Sequence, residues 1–155
     1  MLETVTRALE FYADFLFDAK KKGPEQSKAA MRELALRDLF FLLFHVLNRK
    51  EPLMNHQWIY ERIREVEANP NGYLDLWARE HYKSTIITFG LSIQDILWDP
   101  EITIGILSFN RPTAKSFLKP IKWEFESNQA LKSLFPDVLY QDPAKESPKW
   151  SEDDG

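Results

Sequence analysis

At Asn69-Pro70-Asn71-Gly72 the hydrophobic period of this chain changes, and that change constrains the fold more than any other feature. Before it, apolar residues recur at helical spacing. Val5, Leu9, Tyr12, Phe15, Leu16 and Ala19 share a face from a start near Thr4, and Gly23-Pro24 stops that helix. A second helix is predicted over 28–48. From Leu39 it is apolar nearly all round (LFFLLFHVL), which places its second half between other elements. A third, 56–68, sets Ile59, Ile63 and Val66 on one side and interleaves Glu61, Arg62, Arg64 and Glu65 on the other. After the turn, short apolar runs alternate with longer helical stretches: a strand over 73–77, a helix over 84–97 closed by Asp99-Pro100, and a β-branched strand over 102–108 with no charge in it. A helix from Pro112 to about Asn128 follows, with Pro120 expected to kink or divide it, and 137–155 reads as loop. The expected class is α/β: a parallel-sheet fragment over 69–155, its second strand buried on both faces, preceded by a helical region over 1–68.

The 155 residues suffice for one compact core and fall short of two full domains. A net charge of -4 gives no overall positive field, so any nucleic-acid contact must be local. There is no cysteine, which removes disulfides and thiol chemistry and suits a reducing cytoplasm. His45, His56 and His81 lack metal-ligand spacing. The apolar run 39–47 is far shorter than the roughly 20 residues of a membrane span. The acids within MLETVTRALEF do not suit a signal peptide.

Between the first expected strand and its helix lies Trp77-Ala78-Arg79-Glu80-His81-Tyr82-Lys83-Ser84. A phosphate loop joins a strand to a helix through GxxxxGK[ST], so that backbone N–H groups and the helix N-terminus converge on phosphate oxygens. Here the Lys-Ser pair is present, while Trp77 and Tyr82 stand in place of the two glycines. In a phosphate loop Lys83 would bridge the β- and γ-phosphates, and Ser84, with Thr85, would offer a hydroxyl to magnesium. Arg79 could donate to the γ-phosphate as charge develops. Glu80 and His81, adjacent in a tight loop, cannot both face one substrate and have no catalytic role. The alternative is a solvated lysine at a helix start.

The sequence around this loop, GYLDLWAREHYKSTIITFG followed by ITIGILSFNRPTAKSFLKPIKWEFESNQALKSLFPDVL, resembles the N-terminal ATPase region of tailed-phage terminase large subunits, over most of residues 35 to 155. The likeness is most specific at AREHYKST, since that family tolerates departures from the loop glycines and often has an arginine shortly before the lysine. It implies a P-loop fold in which Ala78, Arg79, Glu80, His81, Tyr82, Lys83, Ser84 and Thr85 bind ATP, Ser84 holds Mg2+, and Arg79 takes part in hydrolysis. It further implies packaging of double-stranded DNA into procapsids in the host bacterial cytoplasm. The implied partners are a terminase small subunit, a portal protein and further copies in a ring, with no membrane. Family members continue with an apolar Walker B strand ending in two acids, and then a nuclease domain. No acid after the loop caps such a strand here, and Asp153-Asp154 follows Lys149-Trp150-Ser151-Glu152. The chain therefore looks like a partial motor that binds nucleotide with negligible turnover. A non-hydrolysing assembly module with a degenerate loop is the alternative.

Two weaker signals remain. Gln57 could read adenine through its amide, beside a Trp58 more simply explained by packing. Arg111, Lys115, Lys119 and Lys122 form a basic stripe opposite Phe117, Ile121 and Phe125 that could contact DNA phosphates, although a solvated helix face is the commoner explanation.

Overall fold

The computed structural model describes residues 4–50, 54–69, 72 and 74–151. It forms two compact units, Met1–Lys83 and Ser84–Gly155. The described residues contain helices and no strand, so the parallel-sheet α/β class expected from the sequence is not what the chain forms.

In the first unit, α1 (Val5–Lys21) begins where the Thr4 hydroxyl accepts from the Arg7 N–H, and Lys20 and Lys21 face the negative end of its dipole. Gly23 follows at φ 108, a conformation closed to most side chains, and Pro24 opens α2 (Pro24–Arg37). The expected single helix over 28–48 is corrected in two ways: it starts four residues earlier and it breaks at Asp38. Asp38 is extended (φ -136, ψ 102), and its Oδ1 accepts the Phe41 N–H at 2.9 Å, capping the short α3 (Leu39–Phe41). A π-helical turn, Leu42–Val46, continues it. α4 (Gln57–Ala68) starts at His56, whose Nδ1 accepts the Trp58 N–H.

The core of this unit is the apolar run itself. Leu39, Phe40, Phe41, Leu42 and Leu43 are wholly buried, with Ala8, Tyr12, Ala35 and Ile63 around them. Each such large side chain contributes about 1.5–3 kcal/mol by leaving water. Edge-to-face ring pairs Tyr12–Phe41 (5.2 Å) and Phe40–Tyr60 (5.1 Å) orient the packing.

Beside that core runs a polar network that fixes the break. Asp38 accepts from the Tyr12 hydroxyl and from Arg64, and Arg64 also pairs with Glu67 at 3.0 Å. Glu67 in turn accepts the Leu39 N–H at 2.6 Å. Burial pushes the Glu67 carboxyl up to about 7, although Arg64 and the Leu39 N–H favour its charged form. Burial and the nearby Lys50 hold the His45 imidazole below its ordinary value.

In the second unit a π-helix, Ser84–Leu91, runs into α5 (Ser92–Trp98). An i→i+5 helix of this length is unusual, since such turns mostly occur singly. The Asn110 side chain caps α6 (Arg111–Ser127) by accepting the Thr113 N–H at 2.9 Å. Pro120 lies inside α6 without dividing it. Asn128 caps α7 (Gln129–Leu134), and the tail expected to be loop contains a short α8 (Pro143–Glu146). Lys132, buried, donates to the carbonyls of Glu126 (2.7 Å) and Gln141 (2.8 Å), tying the segment after α7 back to α6.

Neither expected strand forms. Tyr73 lies outside the described residues; 74–77 and 102–108 have no ladder. A strand is defined by a second strand that takes its N–H and C=O groups, and there is none among the described residues. The period of two survives only in the side chains. Ile102, Ile104 and Ile106 line an apolar recess of about 250 Å³ with Ile96, Leu118, Ile121 and Phe125, while Leu107 is 96% exposed. The expected burial on both faces is thus corrected to partial burial on one. Among the described residues no helix is long and apolar enough to cross a membrane.

Candidate functional site

The loop 74–83 leaves α4 through Asn69 and Gly72, the latter at φ 68. Along 74–77 side chains alternate: Leu74 and Leu76 point to solvent at 78% and 81% exposure, while Asp75 and Trp77 are half-buried. Trp77 meets Trp58 of α4 edge-on at 5.6 Å between centroids, and His81 meets the same indole at 5.3 Å. The guanidinium of Arg62 lies 5.7 Å from the Trp58 ring. Three aromatic rings therefore pin both ends of the loop to one side of α4, each pair adding about 0.5–1.5 kcal/mol beyond area burial.

Around the second pin the backbone alternates. Glu80 (φ 64) and Tyr82 (φ 62) are left-handed, and His81 between them is not. Neither is glycine, and non-glycine residues in such regions cost of order 1–3 kcal/mol each. Alternation of this kind turns successive N–H groups toward one side, the arrangement that makes anion-binding nests. His81 donates from Nδ1 to the Arg79 carbonyl at 2.7 Å and stiffens the bend. The half-buried Lys83 folds its chain back across the loop, its ammonium 3.4 Å from the Asp75 carbonyl oxygen.

Of the residues singled out from sequence, Ala78, Arg79, Glu80 and His81 are exposed along the loop, and Tyr82 and Lys83 half-buried at its end. Ser84 and Thr85 open the π-helix of the second unit, Ser84 exposed and Thr85 half-buried. The loop is thus followed by a π-helix where an α-helix was expected, and preceded by an unpaired segment where a strand was expected. The Gln57 amide is committed within the protein: its oxygen accepts the Val5 N–H at 2.8 Å and its nitrogen donates to Glu61 at 2.9 Å. Among the described residues no three His, Asp or Glu side chains are grouped to hold a metal ion.

What Trp77 does is not legible at its glycine position in the motif: the indole is an anchor for the loop. The recurrence of Trp58, Trp77 and His81 around one short helix and its exit loop was the available signal. The Asp75 carbonyl, as a backbone group, had none. Compared with models of known families, with curated proteins and with solved structures, the chain matches none of them.

Proposed function

We propose that the loop 78–83 binds the phosphates of a nucleotide, and that the chain is the ATP-binding part of a DNA-packaging motor of the terminase large-subunit type. The observation that carries this reading is Lys83, whose ammonium is drawn back over a loop with left-handed residues at Glu80 and Tyr82. A cation folded back across a loop with alternating left-handed residues is an arrangement that can receive phosphoryl oxygens. The resemblance of AREHYKST to the terminase family gives that geometry its chemistry. The sheet that the resemblance implied is not formed among the described residues, and the reading rests on the loop and on AREHYKST.

In this reading Lys83 exchanges the Asp75 carbonyl for β- and γ-phosphate oxygens, a charge-assisted contact in place of a long neutral one. Arg79, exposed four residues earlier, reaches the outer phosphate. Ser84 gives a hydroxyl to magnesium, which arrives with ATP and takes most of its oxygens from phosphate and water. No carboxylate in this reading activates water, so binding without appreciable turnover is expected of the chain by itself. Packaging of double-stranded DNA with small-subunit and portal partners belongs, in the same reading, to the complete motor.

Titration calorimetry with ATP and magnesium tests the site. Lys83→Ala should weaken binding about 10- to 100-fold, as expected for loss of a hydrogen bond to a charged group, while Leu107→Ser should leave it unchanged. A Lys83→Ala chain that binds ATP as tightly as the parent would remove the site.

A further inference from the structure

On the second unit a groove of about 540 Å³ runs along α6 to the tail, lined by Lys115, Lys119, Lys122, Trp123 and Trp150 with Glu126 at its end. The geometry points to this groove as a binding site for single-stranded nucleic acid, held by lysine–phosphate contacts and by stacking of bases on indole.

Charge is the first argument. The chain as a whole carries -4, yet among the described residues this groove gathers three lysines against one glutamate, and the Glu126 carboxylate accepts from the Trp150 indole N–H at 2.5 Å. A local positive channel in an acidic protein selects polyanions at close range. Spacing is the second. Lys115, Lys119 and Trp123 follow at intervals of four, so they form one row along α6 covering about 12 Å at 1.5 Å per residue. That is room for about three stacked nucleotides at 3.4 Å each.

The third argument separates a single strand from other polyanions. Trp123 leaves 62% of its surface in water although it lines the groove. Trp150 is held in place, its ring 4.0 Å from the Lys122 ammonium and its N–H on Glu126, while Lys122 also donates to the Ser151 carbonyl at 2.5 Å. The exposed Trp123 indole beside lysines, with Trp150 held next to it under Lys122, offers a stacking face to a planar base. A duplex keeps its bases paired inside and offers such a surface nothing. An acidic peptide would use the lysines and leave the Trp123 face without a role.

The test uses the full chain, a fluorescently labelled ten-residue oligothymidine and anisotropy at low salt, without ATP or magnesium, so that the result is independent of the Lys83 loop. The oligomer should bind, and an abasic strand of equal length, which keeps the phosphates and lacks the bases, should bind at least about fivefold more weakly. Trp123→Ala should lower affinity about tenfold and Trp123→Phe should restore most of it, as base stacking at about 1–3 kcal/mol requires. Lys115→Gln with Lys119→Gln should reduce the steepness of the salt dependence by about 1.4, at about 0.7 per phosphate. Because Trp123 is exposed, far-UV circular dichroism should be unchanged by its replacement. Equal binding of the abasic strand, an undiminished affinity in Trp123→Ala, displacement by polyglutamate, or a duplex bound as tightly as the single strand would each overturn the assignment.

Discussion

Two uncharged apolar runs of similar length meet opposite fates in this chain. LFFLLFHVL, 39–47, is almost entirely buried, whereas ITIGILSF, 102–109, keeps Leu107 and Phe109 at 96% and 88% exposure. Hydrophobicity does not separate them. The first is helical, so its backbone groups are satisfied within the segment, and α1, α2 and α4 supply apolar surface around it. The second is in neither helix nor strand; without a ladder among the described residues most of its backbone is left to water, and a segment whose backbone stays hydrated cannot be buried. Burial is thus a property of a segment's neighbours before it is a property of the segment.

Substitutions can break that comparison in sequence of expected effect. Phe41→Ala should destabilise the first unit by about 4 kcal/mol, because a fully buried ring leaves a cavity among packed side chains; urea unfolding followed by circular dichroism measures it. Arg64→Ala should cost about 3 kcal/mol by leaving Asp38 and Glu67 facing each other without their shared cation. If this loss matched that of an exposed arginine, the network would not be what holds the break at Asp38.

Glu67→Gln sharpens the comparison through pH. Because the folded carboxyl sits at about 7, above its ordinary 4.5, the folded chain binds more protons than the unfolded one between those values. Its contribution is therefore fully present below about 4.5 and is lost as pH rises through 7. His45, held low, acts in the opposite sense: its contribution is present above 6.5 and fades as pH falls. Thermal melts from pH 4.5 to 7.5 should show the Gln variant losing the component that weakens with rising pH while keeping the histidine component. The smallest effect belongs to the second run. Leu107→Ser should change stability by less than about 0.5 kcal/mol, and a larger loss in the same urea experiment would show that Leu107 is covered in solution.

Much of the helical part was legible in the residues. Thr4, Gly23-Pro24 and His56 mark ends that the structure keeps within a residue, because capping and one-sided periodicity are local properties. The break at Asp38 was not legible, since an aspartate inside a helical pattern becomes a corner only when Tyr12, Arg64 and Glu67 arrive from elsewhere. The strands failed for the complementary reason: period two and β-branching describe a willingness to pair, and pairing needs a second strand. At the loop, the position of Lys83 was evident from sequence, while its fold-back onto Asp75 and the grip of Trp58 on Trp77 and His81 required coordinates. The stripe on α6 is visible as charge in the sequence, but Trp150 lies in a stretch with the composition of a loop, so the groove beside it is not.

The corner at Asp38 also has a kinetic side. Its partners Tyr12 and Arg64 each lie 26 residues away, one on either side, so the junction closes only after two loops of equal length have been drawn in. The entropy of those closures is met before the carboxylate holds both contacts. Pairing of α1 with α2 across their short turn brings Tyr12 to Asp38 first, so the closure that brings Arg64 is the later of the two. Substitutions at Asp38 should accordingly speed unfolding while leaving the folding rate nearly unchanged, which makes this residue a latch on the time the first unit stays folded.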